Sequence, residues 1–442
     1  MKKIAKSFLF VLISLCIVLI LRSVFPKNSG FLWLFFALLL LDAYLWQSLQ
    51  SGIQKQKKWK RVSIIILYWF PLGCIFALMA IGVVIPFLDW YQPIRTYTTS
   101  FILIIFLSKL FPILSLLCAE LIRGIKYGFE LCFSKQDKQT LQVKRNRPLL
   151  ISGWILGGIF FLVMLYGTFS GPYRFTIQKQ TIEIPNLPPS FDGFRIVQFS
   201  DVHLGSWVSK KELRRAIQIM NSLHPDVIFF TGDMFNFSTS DGIGFEQILM
   251  ELRSSLGIYA ILGNHDYGDY TTWSSAEAKS NNLKAAKQYY HNLGWKLLLN
   301  SHDIIKKGDD SIAILGVENW GATQRFQRLG DVDKAQKGLS SIDVQLLLSH
   351  DPSHWDSIIS QYDPSIKITF SGHTHGGQIG IDWFHFHWSP INHLYRHWCG
   401  LYTNTKWHEP QYLYVNQGLG CIGYAGRIGI LPEITLITLK RH

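Results

Sequence analysis

Residues 195–203 read Arg195-Ile196-Val197-Gln198-Phe199-Ser200-Asp201-Val202-His203. Ile196, Val197 and Phe199 predict a short buried strand, and that strand runs directly into a carboxylate and an imidazole two residues apart. The same pattern recurs downstream. Strands predicted at 227–230, 258–262, 344–348 and 366–370 lead into Gly232-Asp233, Gly263-Asn264-His265-Asp266, Ser349-His350-Asp351 and Gly372-His373-Thr374-His375. Open α/β sheets bind ligands beyond the carboxyl ends of their strands, so these ends predict one shared polar mouth. Glycine abuts three of the five groups, as expected where backbone turns tightly beside an ion.

Between these strands, Ser209 with Glu212 three residues on forms a capping box opening a helix to about residue 223. A helix is predicted around 245–252, and a longer one at 275–293 stops at Gly294. Further strands are expected at 173–184, 312–317, 412–415 and 434–439. Strand and helix alternation argues for an α/β domain over residues 171–442.

Carboxylate and imidazole donors without a thiolate suit Mn, Fe or Zn and disfavour a Cys-rich structural zinc site. Seven candidate ligands are too many for one ion. Two divalent metal ions about 3.5–4 Å apart, sharing a carboxylate, would use them all and could clamp the attacking and leaving oxygens of a phosphoryl displacement. Any one motif alone also fits a turn or a cap; the argument lies in all five falling in order at strand ends.

That order, Asp-x-His, Gly-Asp, Gly-Asn-His-Asp, His, Gly-His-x-His over residues 201–375, resembles the calcineurin-like metallophosphoesterases. The tail from Gly418-Leu419-Gly420 through Pro432-Glu433-Ile434-Thr435 resembles their membrane-associated bacterial branch. The resemblance covers roughly residues 173–442 and implies a two-sheet α/β sandwich with a dinuclear centre. By motif, Asp201, His203, Asp233 and His375 would bind the first metal, and Asp233, Asn264, His350 and His373 the second, with Asp233 bridging. It further implies that His265 faces the leaving group as acid or electrostatic stabiliser, oriented by Asp266. Arg427, before Pro432, reads either as a phosphate clamp or as half of a surface ion pair. Asp351 follows a ligand and is placed to support one.

The first 170 residues differ in kind. They hold 19 Lys/Arg against 5 Asp/Glu, whereas residues 171–442 hold 24 against 25, and all 15 histidines lie after residue 170. The net charge of +13 is therefore no argument for nucleic acid, because the C-terminal unit is near neutral. Five apolar stretches, at 7–25, 31–49, 62–88, 101–122 and 149–169, are long enough to cross a bilayer as helices. No cleavage site is evident after the first, so it reads as retained. An N-inside arrangement leaves 15 loop Lys/Arg inside and 3 outside, and an odd number of spans then puts residues 171–442 outside the cytoplasm. Asp42 and Lys109 fall at comparable depths in their spans and suit an ion pair, structural or functional.

The segment 382–398 interleaves Trp383, Phe384, Phe386, Trp388, Tyr395 and Trp398 with four histidines. It reads as an aromatic lip in a lipid headgroup layer or as a capping loop packed on the sandwich. Cys399 and Cys421 alone occupy the outer unit, where a disulfide is permitted. Together these readings predict an integral membrane phosphoesterase, in a bacterial cytoplasmic membrane, acting on a phosphorylated lipid or lipid-linked substrate. Two alternatives stay open: a UDP-diacylglucosamine-type pyrophosphate hydrolase, against which the expected topology argues, and a non-catalytic metal or phosphate sensor.

Overall fold

The computed structural model describes residues 29–442 with short gaps at 86–88, 134–140, 142, 324–325, 340, 362–364, 385 and 407–408, and also residues 15, 16 and 19. The stretch expected to span first, 7–25, lies almost wholly outside the described residues. The chain divides into two compact units, Met1–Phe87 with Phe101–Leu165, and Leu88–Ser100 with Tyr166–His442.

In the first unit the chain is helical over Ser29–Ile53 and Lys58–Val84, and the long helices Gln92–Phe133 and Arg147–Phe169 supply the rest. Three described helices are long and apolar enough to cross a membrane: Lys58–Val84, Gln92–Phe133 and Arg147–Tyr173. The helix around 101–122 extends well past its apolar stretch at both ends, because hydrophobicity sets the span whereas only a breaker or a cap ends a helix. Asp42 and Lys109 do meet. The ammonium lies 3.0 Å from both Asp42 carboxylate oxygens, and the Tyr68 hydroxyl donates to Oδ1 at 2.6 Å. Asp42 is 1% exposed, so its charge is held by these partners and not by water.

The second unit is built on fourteen strands among the described residues. In chain order they are β1 (Thr176–Ile184), β2 (Arg195–Phe199), β3 (Val227–Phe230), β4 (Ile258–Ala260), β5 (Lys296–Leu297), β6 (Ser301–Lys307) and β7 (Asp310–Gly316). There follow β8 (Gln345–Leu348), β9 (Ile366–Ser371), β10 (Ile381–Trp383), β11 (Phe386–Trp388), β12 (Gly400–Asn404), β13 (Gln411–Val415) and β14 (Glu433–Arg441). One six-stranded sheet runs β1-β14-β2-β3-β4-β5 and the other β12-β13-β9-β8-β7-β6. Within them β2, β3 and β4 are parallel neighbours, as are β7, β8, β9 and β13.

The packing follows from strand period two. Along β3, Val227 and Phe229 face the other sheet, while Ile228 and Phe230 face the helices Lys210–Ser222 and Ala276–Asn292. Ile314, Leu346, Ile368 and Phe370 meet Phe229 from the second sheet, whose outer face is covered by Val332, Ala335 and Trp355. The result is a helix, sheet, sheet, helix stack. Each buried Val, Leu, Ile or Phe contributes about 1.5–3 kcal/mol, and strands covered on both faces explain the unbroken apolar runs in the sequence. Half of the predicted capping box is present: the Ser209 side chain accepts from the Glu212 amide, while the Glu212 carboxylate pairs with Arg215.

Candidate metal centre

All five ligand-bearing groups leave the carboxyl ends of parallel strands, β2, β3, β4, β8 and β9, on the same edge of the sandwich. To converge there the chain bends out of ordinary conformations. Asp201, His203, Asp233, His373 and His375 all have left-handed backbone, with φ of 50°, 46°, 62°, 70° and 52°. Each such residue costs roughly 1–3 kcal/mol, which the packed strands beneath it must over-determine. Two glycines make the approach feasible. A Cβ on Gly232, itself at φ 97°, would come 2.8 Å from Nδ1 of His350, and one on Gly372 would come 2.4 Å from Oδ2 of Asp201.

The donor atoms form two clusters sharing Asp233. In one, His375 Nε2 lies 3.3 Å from Asp201 Oδ1 and 3.1 Å from His203 Nε2, which is 3.5 Å from Asp233 Oδ2. In the other, His350 Nε2 lies 3.2 Å from both Asp233 Oδ2 and Asn264 Oδ1, and His373 Nδ1 is 2.7 Å from that same amide oxygen. Donors held at about 2.0–2.3 Å by one ion sit roughly 3.0–3.5 Å apart, so these spacings match the edges of coordination polyhedra. Two imidazole nitrogens facing each other at 3.1 Å make poor hydrogen-bond partners but good co-ligands. Atoms of Asp201, His203 and His375, and of Asp233, His350 and His373, lie within 4.8 Å of one another, as do those of His203, Asp233 and His265.

Outer contacts fix each donor. The carbonyl of Phe235 takes Nδ1 of His203 at 3.1 Å and that of Thr231 takes Nδ1 of His350 at 2.7 Å, turning each Nε2 inward. His373 is reversed: its Nε2 is 2.7 Å from the Tyr395 hydroxyl, so Nδ1 faces the centre. Asn264 donates its amide to the Tyr270 hydroxyl at 2.7 Å, which aims its oxygen at the cluster. Nothing in the sequence marked Tyr270, and Tyr395 was visible only as part of the aromatic segment.

Electrostatics favour cation binding. Burial, with His265 nearby, drives His203 down to about 3, and burial also lowers His373 and, with His203 and Arg427, His375, so these imidazoles are neutral as ligation requires. Burial pushes Asp201 up to about 7. At His350 burial acts downward, but the Asp233 carboxylate more than reverses it and raises the imidazole to about 10. Asp233 itself, despite burial, is held well below the carboxylate range by His350 and its neighbours. A divalent ion among these donors would displace the His350 proton and meet a preformed carboxylate, so the donor set fits a metal.

Two expectations need correction. Asp266 does not reach the His265 ring as its orienting group. Its carboxylate accepts the amides of Asp233, Met234, Phe235 and Gly263 at 2.9–3.2 Å, and the Tyr290 hydroxyl at 3.3 Å. The partner of His265 Nδ1 is instead the Asn236 carbonyl at 2.7 Å. Arg427 is neither a surface residue nor a clamp facing the mouth. It is 1% exposed and donates to the carbonyls of His375, Gln417, Gly418 and Gly420, pinning the C-terminal loop under the cluster. Cys399 and Cys421 are both free.

Asp351 lies beside the cluster, with Oδ2 3.5 Å from Nε2 of His373. The aromatic segment splits: β10 and β11 form a hairpin with Trp383 71% and Phe384 82% exposed, while Ser389 and Trp398 pack back onto the unit. Beside His373 and His375 opens a cavity of about 800 Å³ with Ile379, Ile391, Leu394, Ile422 and Tyr424 in its walls.

A two-sheet α/β stack with His, Asp and Asn donors converging beyond its parallel strands defines the class of metal-dependent hydrolases. Residues 194–377 match the family model of the calcineurin-like phosphoesterases, and residues 24–172 match that of a calcineurin-like phosphoesterase transmembrane domain. A transmembrane protein with metallophosphoesterase domain from Danio rerio is 31% identical over 321 residues, covering 70% of this chain and 69% of its own. The uncharacterized metallophosphoesterase YkuE of Bacillus subtilis is 32% identical over 280 residues, 62% of this chain and 89% of its own. The UDP-2,3-diacylglucosamine pyrophosphatase LpxG of Chlamydia trachomatis is 29% identical over 280 residues, 53% and 81% respectively. The chain belongs to the calcineurin-like phosphoesterases: it is a membrane protein and a hydrolase of phosphoric ester bonds. Relatives come from animals as well as bacteria.

Proposed function

We propose that this enzyme uses a dinuclear divalent-metal centre to hydrolyse a phosphate ester carried by a membrane lipid or lipid-linked molecule. The observation that carries this reading is adjacency. The donor cluster borders the apolar cavity of about 800 Å³, and the hairpin that follows it in sequence presents Trp383, Phe384 and Phe386 outward. A phosphate at the metals with its lipid tail along that cavity would use both features.

Asp201, His203 and His375 would hold one ion and Asn264, His350 and His373 the other, with Asp233 available to both. Divalent ions held by these residues would acidify a water and offset the charge of the phosphoryl oxygens. Asn264 contributes a neutral oxygen, which limits negative charge beside an anionic substrate. His265 donates Nδ1–H to Asn236, so the proton it offers a leaving oxygen is the one carried at Nε2 of the imidazolium. Loop charge supports five spans with the N-terminus inside, which would put the catalytic unit outside the cytoplasm.

Similarity to a protein named as a UDP-2,3-diacylglucosamine pyrophosphatase supports a second reading, in which the bond cut is a lipid-linked diphosphate. The test is phosphate release by the full chain in lipid nanodiscs with Mn²⁺, offered a soluble aryl phosphate, a bilayer phosphatidic acid and a lipid-linked diphosphate. Turnover of a lipid substrate that is lost with chelator and in Asp233→Asn supports the proposal, and which lipid is cut separates the two readings. Stoichiometric metal with no turnover of any of the three would point to a sensor.

A further inference from the structure

The sequence separates a membrane unit from a catalytic unit at residue 170, yet residues 88–100 pack with the catalytic unit. This segment includes the first two turns of the helix Gln92–Phe133, and four of its polar side chains, Gln92, Arg95, Thr96 and Ser100, bond loops of the catalytic unit. Gln92 donates to the carbonyls of Leu204 and Trp207 at 2.9 and 3.2 Å, and Thr96 to that of Gly205 at 3.4 Å, in the turn that follows Asp201 and His203. Ser100 accepts from the Ala425 amide at 2.9 Å.

Arg95 makes the most consequential of these contacts. Its Nη2 lies 2.8 Å from Asp241 Oδ1, with the two side chains 7% and 3% exposed, and its guanidinium stacks over Phe237 at 5.3 Å. The other oxygen of Asp241 accepts the amides of Asn236, Phe237 and Ser238 at 3.1, 2.9 and 3.4 Å. Asn236 is the residue whose carbonyl holds His265 Nδ1. A continuous run of buried polar contacts therefore joins Arg95 to the imidazole: guanidinium, carboxylate, loop amides, carbonyl, ring.

We propose that Arg95 is a positioning residue for His265. By anchoring Asp241 it fixes the 236–241 loop, and with it the direction in which the imidazole presents Nε2. An unanchored Asp241 would keep its amides but lose the guanidinium, leaving a buried charge that the loop relieves by moving toward water. This rests on the leaving-group role proposed for His265. It makes the helix that leads into the membrane unit part of the catalytic machinery and not merely an anchor.

The experiment uses the full chain in nanodiscs, loaded with Mn²⁺, and compares an aryl phosphate, whose leaving group departs as the anion, with an alkyl phosphate, whose leaving group needs a proton. Arg95→Ala and Asp241→Asn should lower kcat on the alkyl ester about tenfold or more, the usual scale for outer supporting groups, with KM and metal content unchanged and the aryl ester little affected. Added guanidinium should restore part of the loss in Arg95→Ala, and Arg95→Lys, which keeps the charge without the fork, should fall between. In a His265→Ala background the Arg95 substitution should cost nothing further on the alkyl ester. Equal losses on both esters, or losses that add to those of His265→Ala, would mean a general structural latch and overturn the proposal. If His265→Ala itself fails to discriminate the two esters, the leaving-group reading falls and this one with it. If His265→Ala discriminates and neither Arg95→Lys nor Asp241→Asn does, only the Arg95 proposal is lost.

Discussion

Oδ2 of Asp233 lies 3.2 Å from Nε2 of His350, and that single contact couples metal binding to protons. Because Asp233 lifts His350 to about 10, an ion binding between them at neutral pH must release a proton. Apparent Mn²⁺ affinity should therefore rise about tenfold per pH unit between roughly pH 6 and 9. Calorimetric titration in two buffers of different ionisation enthalpy measures the protons released, and His350→Gln should lower the number by about one, leaving the fraction that Asp201 supplies. A flat affinity profile in the parent protein would contradict the coupling.

Removal of the His265 ring should act on turnover and not on the metals. His265→Ala should lower kcat by about 10²- to 10⁴-fold, the range of general acid catalysis, with metal content unchanged by mass spectrometry. Loss of metal alongside activity would instead make His265 a ligand, which its distance to His203 and Asp233 permits.

His354 provides an acid-stability marker away from the metal ligands. It is buried between Ser349 Oγ, 2.9 Å from its Nδ1, and the ring of Trp320, and burial drives it down to about 4. Between about pH 6.5 and 4 the unfolded chain takes up a proton that the folded chain refuses, so stability falls as pH falls through that window and is flat above it. The contribution is about 3 kcal/mol across the window. In thermal melts at pH 7 and 4.5, His354→Gln should show a smaller drop in Tm than the parent; an identical drop would exclude His354 as a source.

The hairpin aromatics should matter for lipid and not for soluble substrates. Trp383→Ala with Phe384→Ala removes two rings that rest on each other, 5.5 Å apart, and not on the catalytic core. Turnover of a bilayer phosphate should fall about tenfold or more, given the few kcal/mol that interfacial rings contribute, while the aryl ester is unaffected. Equal turnover on both would remove the lipid-facing role.

Within the membrane unit, Lys109→Met should cost about 3–5 kcal/mol by leaving Asp42 charged and unpaired. Combining it with Asp42→Asn should recover most of that loss. Denaturation of the three proteins in one detergent checks this, and additive losses would argue that the pair is not the source of the effect.

Much of the catalytic unit was legible because its rules are local. β2, β3, β8 and β9 are short runs buried on both faces, so Val, Ile, Leu and Phe mark them directly. Both edge strands of the second sheet were missed. Ser301–Lys307 at one margin carries mostly polar or exposed residues, and Gly400–Asn404 at the other is only half covered; lysines and short length blunt edges and erase the pattern. Arg427 was misread for a related reason, since a guanidinium can be buried when carbonyls from one loop saturate it, and sequence does not say which carbonyls will.

The sequence by itself determined the apolar stretches, the order of the buried strands along the chain and which polar residues stand at their ends, because hydrophobic period and side-chain chemistry are properties of neighbouring residues. Only the tertiary structure decided that His373 meets Asp201 from 172 positions away, that Asn236 and not Asp266 holds His265, and that Arg95 reaches Asp241 across 146 positions. Those relationships depend on which strands lie side by side and on left-handed turns at five ligand positions, and such turns persist only because the packed sheets beneath them leave the chain no cheaper path.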